Sequence, residues 1–522
     1  MNARLRGALA ALTLAFVAIP IAAQTLPDND PILQDIWNEG IENSQVYPLA
    51  QELLDAVGPR LTGTPGQQAA HDWAVGMYES WGIDARNEQY GTWRGWRRGI
   101  SHVDLIEPRV RSLEGMLLGW SVGTPNGEPV EAEVVAMPIF ASEAEAQAWL
   151  PTVAGKFVAI AYPEPTCRPD DQWEQYARPA DFAAMDAMRR QEAGAFSGSR
   201  SLVALGTRAL QEALADAGAL GLFESRWSDA PGTNKVFSAN NEQVPVFDMS
   251  CEDYGLLYRL AENGQGPVVR VQADAEFLGT VPTFNTIAEI PGTELPDEYV
   301  VLSAHFDSWD GGSGATDNGT GTVVMMEAMR ILQEVLPNPR RTILVGHWSG
   351  EEQGLNGSRA FAADHPEVVD GLQVLLNQDN GTGRVQNISM QGLVEAGEHF
   401  ASWLSKMPSE LTGEIDLNVP GSPGGGGSDY ASFICAGAPA FSLSSLNWGY
   451  GTYTWHTNRD TFDKVIIPEV QGNATLTAML AYLASEDPER VSRTRRTNLG
   501  TTRAGNPNQW PTCRDGTRSY GN

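Results

Sequence analysis

Imidazole and carboxylate side chains concentrate in two short stretches, AHFDSWDGGSGATDNGTG from Ala304 and SGEEQGLNGSRAF from Ser349. These are the groups that bind zinc and move protons near neutral pH. His305 and Asp307 are two residues apart. On extended backbone they share a face, so Asp307 can hold the ring from behind and leave one nitrogen free for a metal. The turn Gly311–Gly314 brings Asp317 back towards His305, where one carboxylate is well placed to bridge two cations. In the second stretch Glu351 and Glu352 are adjacent and cannot face the same way on extended backbone. One can ligate a metal while its neighbour points at the water between metals as general base. A lone Glu-Glu pair is ordinarily a solvated loop, and only its coincidence with the His305 and Asp317 pattern lifts it above that. Downstream, Asp379 and His456 offer two further ligands.

Rigid elements must stand behind these side chains. Glu298–Ala304 is an apolar run with β-branched residues, the pattern of a strand buried on both faces. Thr342–Val345 and Leu372–Asp379 repeat it, and each has a carboxylate at or just past its end. The spacing of Val323, Met326, Met329, Ile331 and Leu332 predicts a helix over 322–336, beginning just after Asp317. Acids and histidines at successive strand ends of an open α/β sheet converge on one crevice. Upstream, residues 28–89 read as helical, with amphipathic segments at 46–56 and 67–81. Between about 113 and 278 come shorter strands at 155–161, 219–223, 244–247 and 268–272, with a polar, Ala/Met-rich excursion or lid at 170–200. Asn285–Pro291 restarts the main sheet, which continues to about Ala484.

With these residues assembled, the chain resembles peptidase family M28, the co-catalytic zinc aminopeptidases, and within it the plasma glutamate carboxypeptidase (carboxypeptidase Q) branch. The resemblance is carried by HFDSWD-x-G-x-GA-x-D, EEQG, GPRLTGTPG from Gly58 and TWRGWRRG from Thr92, and runs from about Ile41 to about Glu486. It implies a three-layer α/β/α sandwich with a mixed, mainly parallel sheet, formed by residues 28–112 and 281–487. A β-rich protease-associated domain is then inserted over 113–280. It further implies two zinc ions per chain, one held by His305, Asp317 and Asp379 and the other by Asp317, Glu352 and His456. Glu351 is then the base and Asp307 the partner of His305. Where the family often has a second histidine beside the last ligand, this chain has Trp455. The implied substrates are peptides, specifically dipeptides or unblocked N-termini. Ser428 and Asp429 follow a glycine run that lies near the active site in the family. Carboxypeptidase relatives hold a terminal carboxylate with arginine, and Arg384 and Arg459 are near the ligands in sequence.

Residues 1–23 carry Arg4 and Arg6, an apolar core from Ala8 to Ile21, then Ala22 and Ala23. That is a secretory signal peptide, short of the ~20 apolar residues a membrane span needs. The expected location is periplasmic or extracellular, with no membrane anchor. At 522 residues the chain exceeds the roughly 250–300 that one core supports, so two domains are expected. A net charge of −30, from 65 acidic and 35 basic residues, argues against nucleic acid or anionic membrane as partner. Cys167, Cys251, Cys435 and Cys513 allow three pairings. We favour Cys167 with Cys251 and Cys435 with Cys513, one in each domain. Residues 488–522 form a basic polar tail, expected on the surface and tethered if Cys513 is paired.

Other residues have plainer roles. His71, His102, His365 and His399 fall in no ligand pattern, and His347 reads as packing behind the site. Asn318, Asn356, Asn380, Asn387 and Asn473 head glycosylation triplets, and sugar on Asn318 or Asn380 would block the site. Three alternatives stay open. They are carboxypeptidase-type specificity at the same site, a glutaminyl cyclase-like acyl transferase, which manages with one zinc, and a binding protein without turnover. The inserted domain carries no candidate ligand and is expected to wall the cleft or support a homodimer.

Overall fold

The computed structural model describes residues 30–501 and 505–521, so the expected signal peptide lies outside it. The site is positioned by helix α1 (Pro65–Ser80), strands β1 (Asp84–Glu107), β2 (Val268–Ile290) and β3 (Leu295–His305), helix α2 (Thr320–Val335), strand β4 (Arg341–Trp348), helix α3 (Asn356–Asp364), strands β5 (Leu372–Asn377) and β6 (Ala440–Ser445), and helix α4 (Ile467–Glu486).

Every residue of β4 and β5 is buried, as is β3 from Val300 to His305. A run of Val, Ile and Leu without alternation is what a strand covered by helices on both faces requires. β3 runs parallel between β4 and β5, β6 runs parallel to β5 on its far side, and β2 closes the other flank antiparallel to β4. The fold is thus the expected α/β/α sandwich around a mostly parallel sheet. Helix α2 packs against α4. Helix α4 is buried from Asn473 to Ala481 without interruption, because the helix Pro31–Trp37 covers it in turn.

A second lobe grows out of the same sheet. β1 and β2 pair antiparallel from Asp84↔Glu289 to Glu107↔Val268, with register shifts at four places. The near end of this ribbon feeds Ile287, Ala288 and Ile290 into the main core. Its far end feeds Trp96, Val103, Leu105, Val269 and Val271 into a second core. Strands Val130–Ala136, Phe157–Ala159, Gly221–Glu224 and Val246–Met249 extend the sheet there in that order, parallel to one another, with Val130–Ala136 antiparallel to β2 and Val246–Met249 antiparallel to Gly115–Leu117. The lobe carries five helices besides, and the 170–200 excursion is helical (Asp170–Tyr176 and Pro179–Val203).

The helical expectation for 28–89 holds only up to Ser80. Gly82 takes φ 75°, which ends the helix, and Asp84–Gln89 pairs with Phe284–Glu289 as strand. Both favoured disulfides are present: Cys167–Cys251 lies within the second lobe, and Cys435–Cys513 ties the tail to the main one.

Candidate active site

β3, β4 and β5 end side by side, and the crevice beyond their carboxyl ends collects the predicted residues, as open α/β sheets do. His305 is the last residue of β3 and fully buried. Its Nε2 lies 3.1 Å from Asp379 Oδ1 and 3.3 Å from Asp317 Oδ1. His456, at φ 57° in the connection from β6 to α4, places Nε2 3.0 Å from Glu352 Oε2 and 3.3 Å from Asp317 Oδ2. Asp317 therefore turns one oxygen to each imidazole. Two groups result, His305–Asp317–Asp379 and Asp317–Glu352–His456, whose donor atoms lie within 4.8 Å of one another in each. Donors ~2.0–2.1 Å from a tetrahedral ion stand roughly 3.3 Å apart, so these spacings match the edges of such a polyhedron.

Buried hydrogen bonds hold each donor in place. The Asp460 carboxylate accepts from the backbone N–H of Thr316 (2.8 Å) and Asp317 (3.0 Å), which aims the bridging residue. Arg60, also fully buried, donates to the carbonyls of Phe306, Gly58, Ser313 and Gly314, fastening the loop that connects His305 to Asp317. The Trp309 indole donates to Glu352 Oε2 (2.8 Å). From the second lobe, Val236 N–H donates to the His456 carbonyl (2.7 Å) and the Phe237 ring stands 4.9 Å from the His456 ring. That lobe is a wall of the site.

Asp307 does something other than the spacing predicts. His305 Nδ1 lies 3.0 Å from the Asp307 backbone carbonyl, and the Asp307 carboxylate is no closer than 3.7 Å. The carbonyl thus fixes the tautomer. The carboxylate accepts instead from the N–H groups of Glu351 (3.1 Å) and Glu352 (3.3 Å) and from the Thr62 hydroxyl (3.3 Å), fixing the Glu-Glu turn. The strand ends at His305, so the alternation assumed for Asp307 no longer applies.

Charge in the crevice is unbalanced. Asp307, Asp317, Asp429 and Asp460 are buried, and the side chains of Glu352 and Asp379 are 4% and 7% exposed. Against them stand His305, His456 and Arg60. Glu352 Oε1, Asp317 Oδ2 and both Asp429 oxygens are buried without a hydrogen-bond partner. Uncompensated buried carboxylates are costly, and cations relieve that cost, so the donor set fits metal ions.

Titration reflects the same imbalance. Burial lowers an imidazole pKa, but Glu352 and Asp317 outweigh it and hold His456 up to about 9. Burial raises Glu352, Asp429 and Asp460 to about 7 each. A histidine whose folded pKa is raised contributes stability that is full below its unfolded value and lost as pH rises through the folded one. The raised carboxylates act in the same direction, since the folded state holds the extra proton. His71 and His347, held near 3 by burial, oppose this only below pH 6.5. The chelated protein is therefore expected to lose thermal stability between about pH 6.5 and 9, with zinc removing the loss by replacing the protons. Calorimetry with and without chelator checks this; a melting temperature flat across that window in chelator contradicts it.

Residues 285–481 match the family model for Peptidase family M28. The chain is 26% identical to mouse carboxypeptidase Q over 441 residues, covering 84% of this chain and 86% of that one. The Xenopus laevis carboxypeptidase Q is 27% identical over 467 residues, 88% and 90% of the two chains. A peptidase M28 precursor from Shewanella amazonensis superposes with a TM-score of 0.63 at 24% identity, over 88% of this chain and 98% of that one. A zinc aminopeptidase from Bacillus subtilis gives 0.53 at 17%, over 86% and 96%, and both structures speak to the fold.

Among the described residues, the other histidines join no ligand group. His71 bonds Thr286 and Ser349, His347 bonds the Tyr78 hydroxyl, His365 pairs with Glu88, and His399 pairs with Asp487. Ser428 accepts from Asn377, while Asp429 stands buried beside the crevice. The two arginines singled out by sequence proximity are occupied elsewhere. Arg384 pairs with Glu414 and Glu469, and Arg459 with Glu114 and the Gly232 carbonyl. Of the glycosylation triplets, Asn318, Asn356 and Asn473 are buried and cannot accept sugar in the folded chain. Sequence reasoning passed over Arg60, Trp309 and Asp460. Arg60 sits in the quoted GPRLTGTPG segment, and a lone arginine in a Gly/Pro turn was the available signal.

Proposed function

We propose that the chain is an exported di-zinc exopeptidase that hydrolyses dipeptides or peptides with an unblocked N-terminus. The observation that carries this is Asp317, which sends one oxygen to each of two His-carboxylate groups while Glu351 lines the same crevice. His305, Asp317 and Asp379 would hold one ion, and Asp317, Glu352 and His456 the other. When bound, such ions supply Lewis acidity for the scissile carbonyl and lower the pKa of a shared water. Glu351 would serve as the general base and acid, accepting a proton from the attacking water and returning it to the leaving amine. In the metal-free site burial, opposed by His305 and reinforced by Asp379 and Glu352, holds the Glu351 pKa well above the usual carboxylate range. Asp307 keeps the Glu351–Glu352 backbone in place, and Trp309 and Phe237 shield the His456 side from water.

The remaining features agree. Residues 1–23 read as a signal peptide, two disulfides suit an oxidising compartment, and among the described residues no helix is long and apolar enough to cross a membrane. Residues 113–280 would be the protease-associated domain, serving as a wall of the cleft, with a homodimer as a further role for its outer face.

The test is hydrolysis of a panel of unblocked dipeptides and their N-acetylated counterparts, before and after chelation and zinc return. Activity on free N-termini only, lost with chelator and restored by zinc, is the expected result. No turnover by the zinc-loaded protein overturns the proposal.

A further inference from the structure

The two imidazoles at the crevice are held differently. His305 Nδ1 lies 3.0 Å from the Asp307 carbonyl, which fixes the ring through the nitrogen that faces away from the ligand carboxylates. His456 Nδ1 is buried with no hydrogen-bond partner. Metal-binding histidines ordinarily have that second nitrogen hydrogen-bonded, and the bond sets the orientation of the ring. His456 also sits at φ 57°, which a residue with a β-carbon holds only where its surroundings over-determine it. Contacts other than its own ring nitrogen must therefore aim it.

Four consecutive residues of the second lobe supply those contacts. Asn234 and Asn458 form a reciprocal pair: Asn234 N–H donates to Asn458 Oδ1 (2.9 Å), Asn458 N–H to the Asn234 carbonyl (3.1 Å), and Asn458 Nδ2 to Asn234 Oδ1 (2.9 Å). The Lys235 ammonium lies 4.4 Å from the centre of the Trp455 ring, which itself stands 4.0 Å from the His456 ring. Val236 N–H donates to the His456 carbonyl (2.7 Å), and the Phe237 ring packs edge-on against the imidazole at 4.9 Å. The Trp309 ring, at 5.8 Å, is farther. Asn234 is fully buried and anchored in its own lobe, where it donates to the Asp248 carbonyl (2.9 Å). Arg459 adds an ion pair to Glu114 of the same lobe (3.4 Å). Asp460, one residue on, is fastened the other way. Its carbonyl accepts from Ser313 N–H (2.9 Å) and its carboxylate from the N–H groups of Thr316 and Asp317, all in the main lobe. The backbone that carries His456 is thus held by the second lobe, and the turn that carries Asp317 by the main one.

We propose that residues 234–237 of the second lobe position the ligand group of Asp317, Glu352 and His456, with Phe237 orienting the imidazole and Asn234 fixing the backbone that carries it. The second lobe is then more than a wall, because its docking completes one of the two ion sites. The group of His305, Asp317 and Asp379 is built from the main lobe and does not depend on it. This rests on the di-zinc proposal above. Linkage makes the effect reciprocal, so zinc at the His456 group should steady the same strip by the same free energy.

Zinc affinity of the full-length protein, measured by competition with a chelating dye, tests this. Phe237 is half-buried, so Phe237→Ala should fold. It is expected to weaken one of the two ions about 10–100-fold, the usual effect of losing an outer partner of a metal ligand, and to leave the other unchanged. Asn458→Ala, which breaks the reciprocal pair from the loop side, should do the same, whereas Phe237→Tyr, which keeps the ring, should keep the affinity. In an Asp379→Asn background, where only the His456 group is complete, Phe237→Ala should weaken the ion that remains. Hydrogen exchange gives a reading without any change to the strip: in the unmodified protein the amides of Val236 and Asn458 should slow when zinc is returned after chelation. Both ions weakened alike, or a lowered melting temperature with neither constant changed, makes the strip merely structural and overturns the proposal. Exchange at Val236 and Asn458 that zinc does not alter overturns it too. An unmodified protein that binds fewer than two ions brings down the di-zinc proposal itself.

Discussion

Replacing Glu351 with Gln is expected to lower kcat by about 10²–10⁴-fold while zinc binding is retained. The substitution changes one oxygen to an amide nitrogen and so removes the proton acceptor with almost no change in volume. Glu351 belongs to neither of the two donor groups, so the ions keep their ligands. Its backbone N–H still donates to Asp307, and the turn carrying Glu352 should stay put. Because burial already disfavours the ionised form of Glu351, a neutral side chain should leave the melting temperature of the metal-free protein unchanged or slightly raised. Zinc content by atomic absorption and single-turnover kinetics with a dipeptide check the two halves. Near-normal turnover by the Gln variant removes Glu351 from the mechanism; normal turnover with one ion missing would instead point to a mistaken ligand set.

What could be read from the sequence follows the range of the interactions involved. The three central strands were legible because burial on both faces leaves each run mostly apolar with no period-two alternation, a purely local signal at 298–304, 342–345 and 372–379. The five proposed ligands were legible because each sits at or close past a strand end or in a short turn. Asp307 was legible as a participant but not in its contacts, because strand alternation was extended one step beyond the residue where the strand stops. Long-range partners were out of reach. Arg60 meets Phe306 and Ser313 across about 250 positions, and nothing near Arg60 in sequence marks the carbonyls it serves. The same holds for Asp460 and the Asp317 loop, and for Arg514, brought to the crevice by a disulfide spanning 78 positions. Arg384 and Arg459 show the converse: near a proposed ligand in sequence, both are paired with acids and neither lines the crevice.

Asp317→Asn is the second large effect expected, and it separates a bridging carboxylate from a merely neighbouring one. Asp317 is the only residue shared by both donor groups. An amide can offer one oxygen but must turn its NH₂ towards the other imidazole, so one group loses an anionic ligand outright and the other keeps a neutral one. Zinc content should fall from about two ions per chain to about one or fewer, with turnover falling at least as far as for Glu351→Gln. Asp379→Asn touches one group only and should spare the ion held by Glu352 and His456. The metal-free proteins give an independent readout. Asp317 helps hold the His456 pKa near 9, so in chelator the Asn variant should lose its stability at lower pH than the unmodified chain. If both ions remain at full occupancy in Asp317→Asn, the bridge is not what holds them, and the two groups must be treated as separate sites.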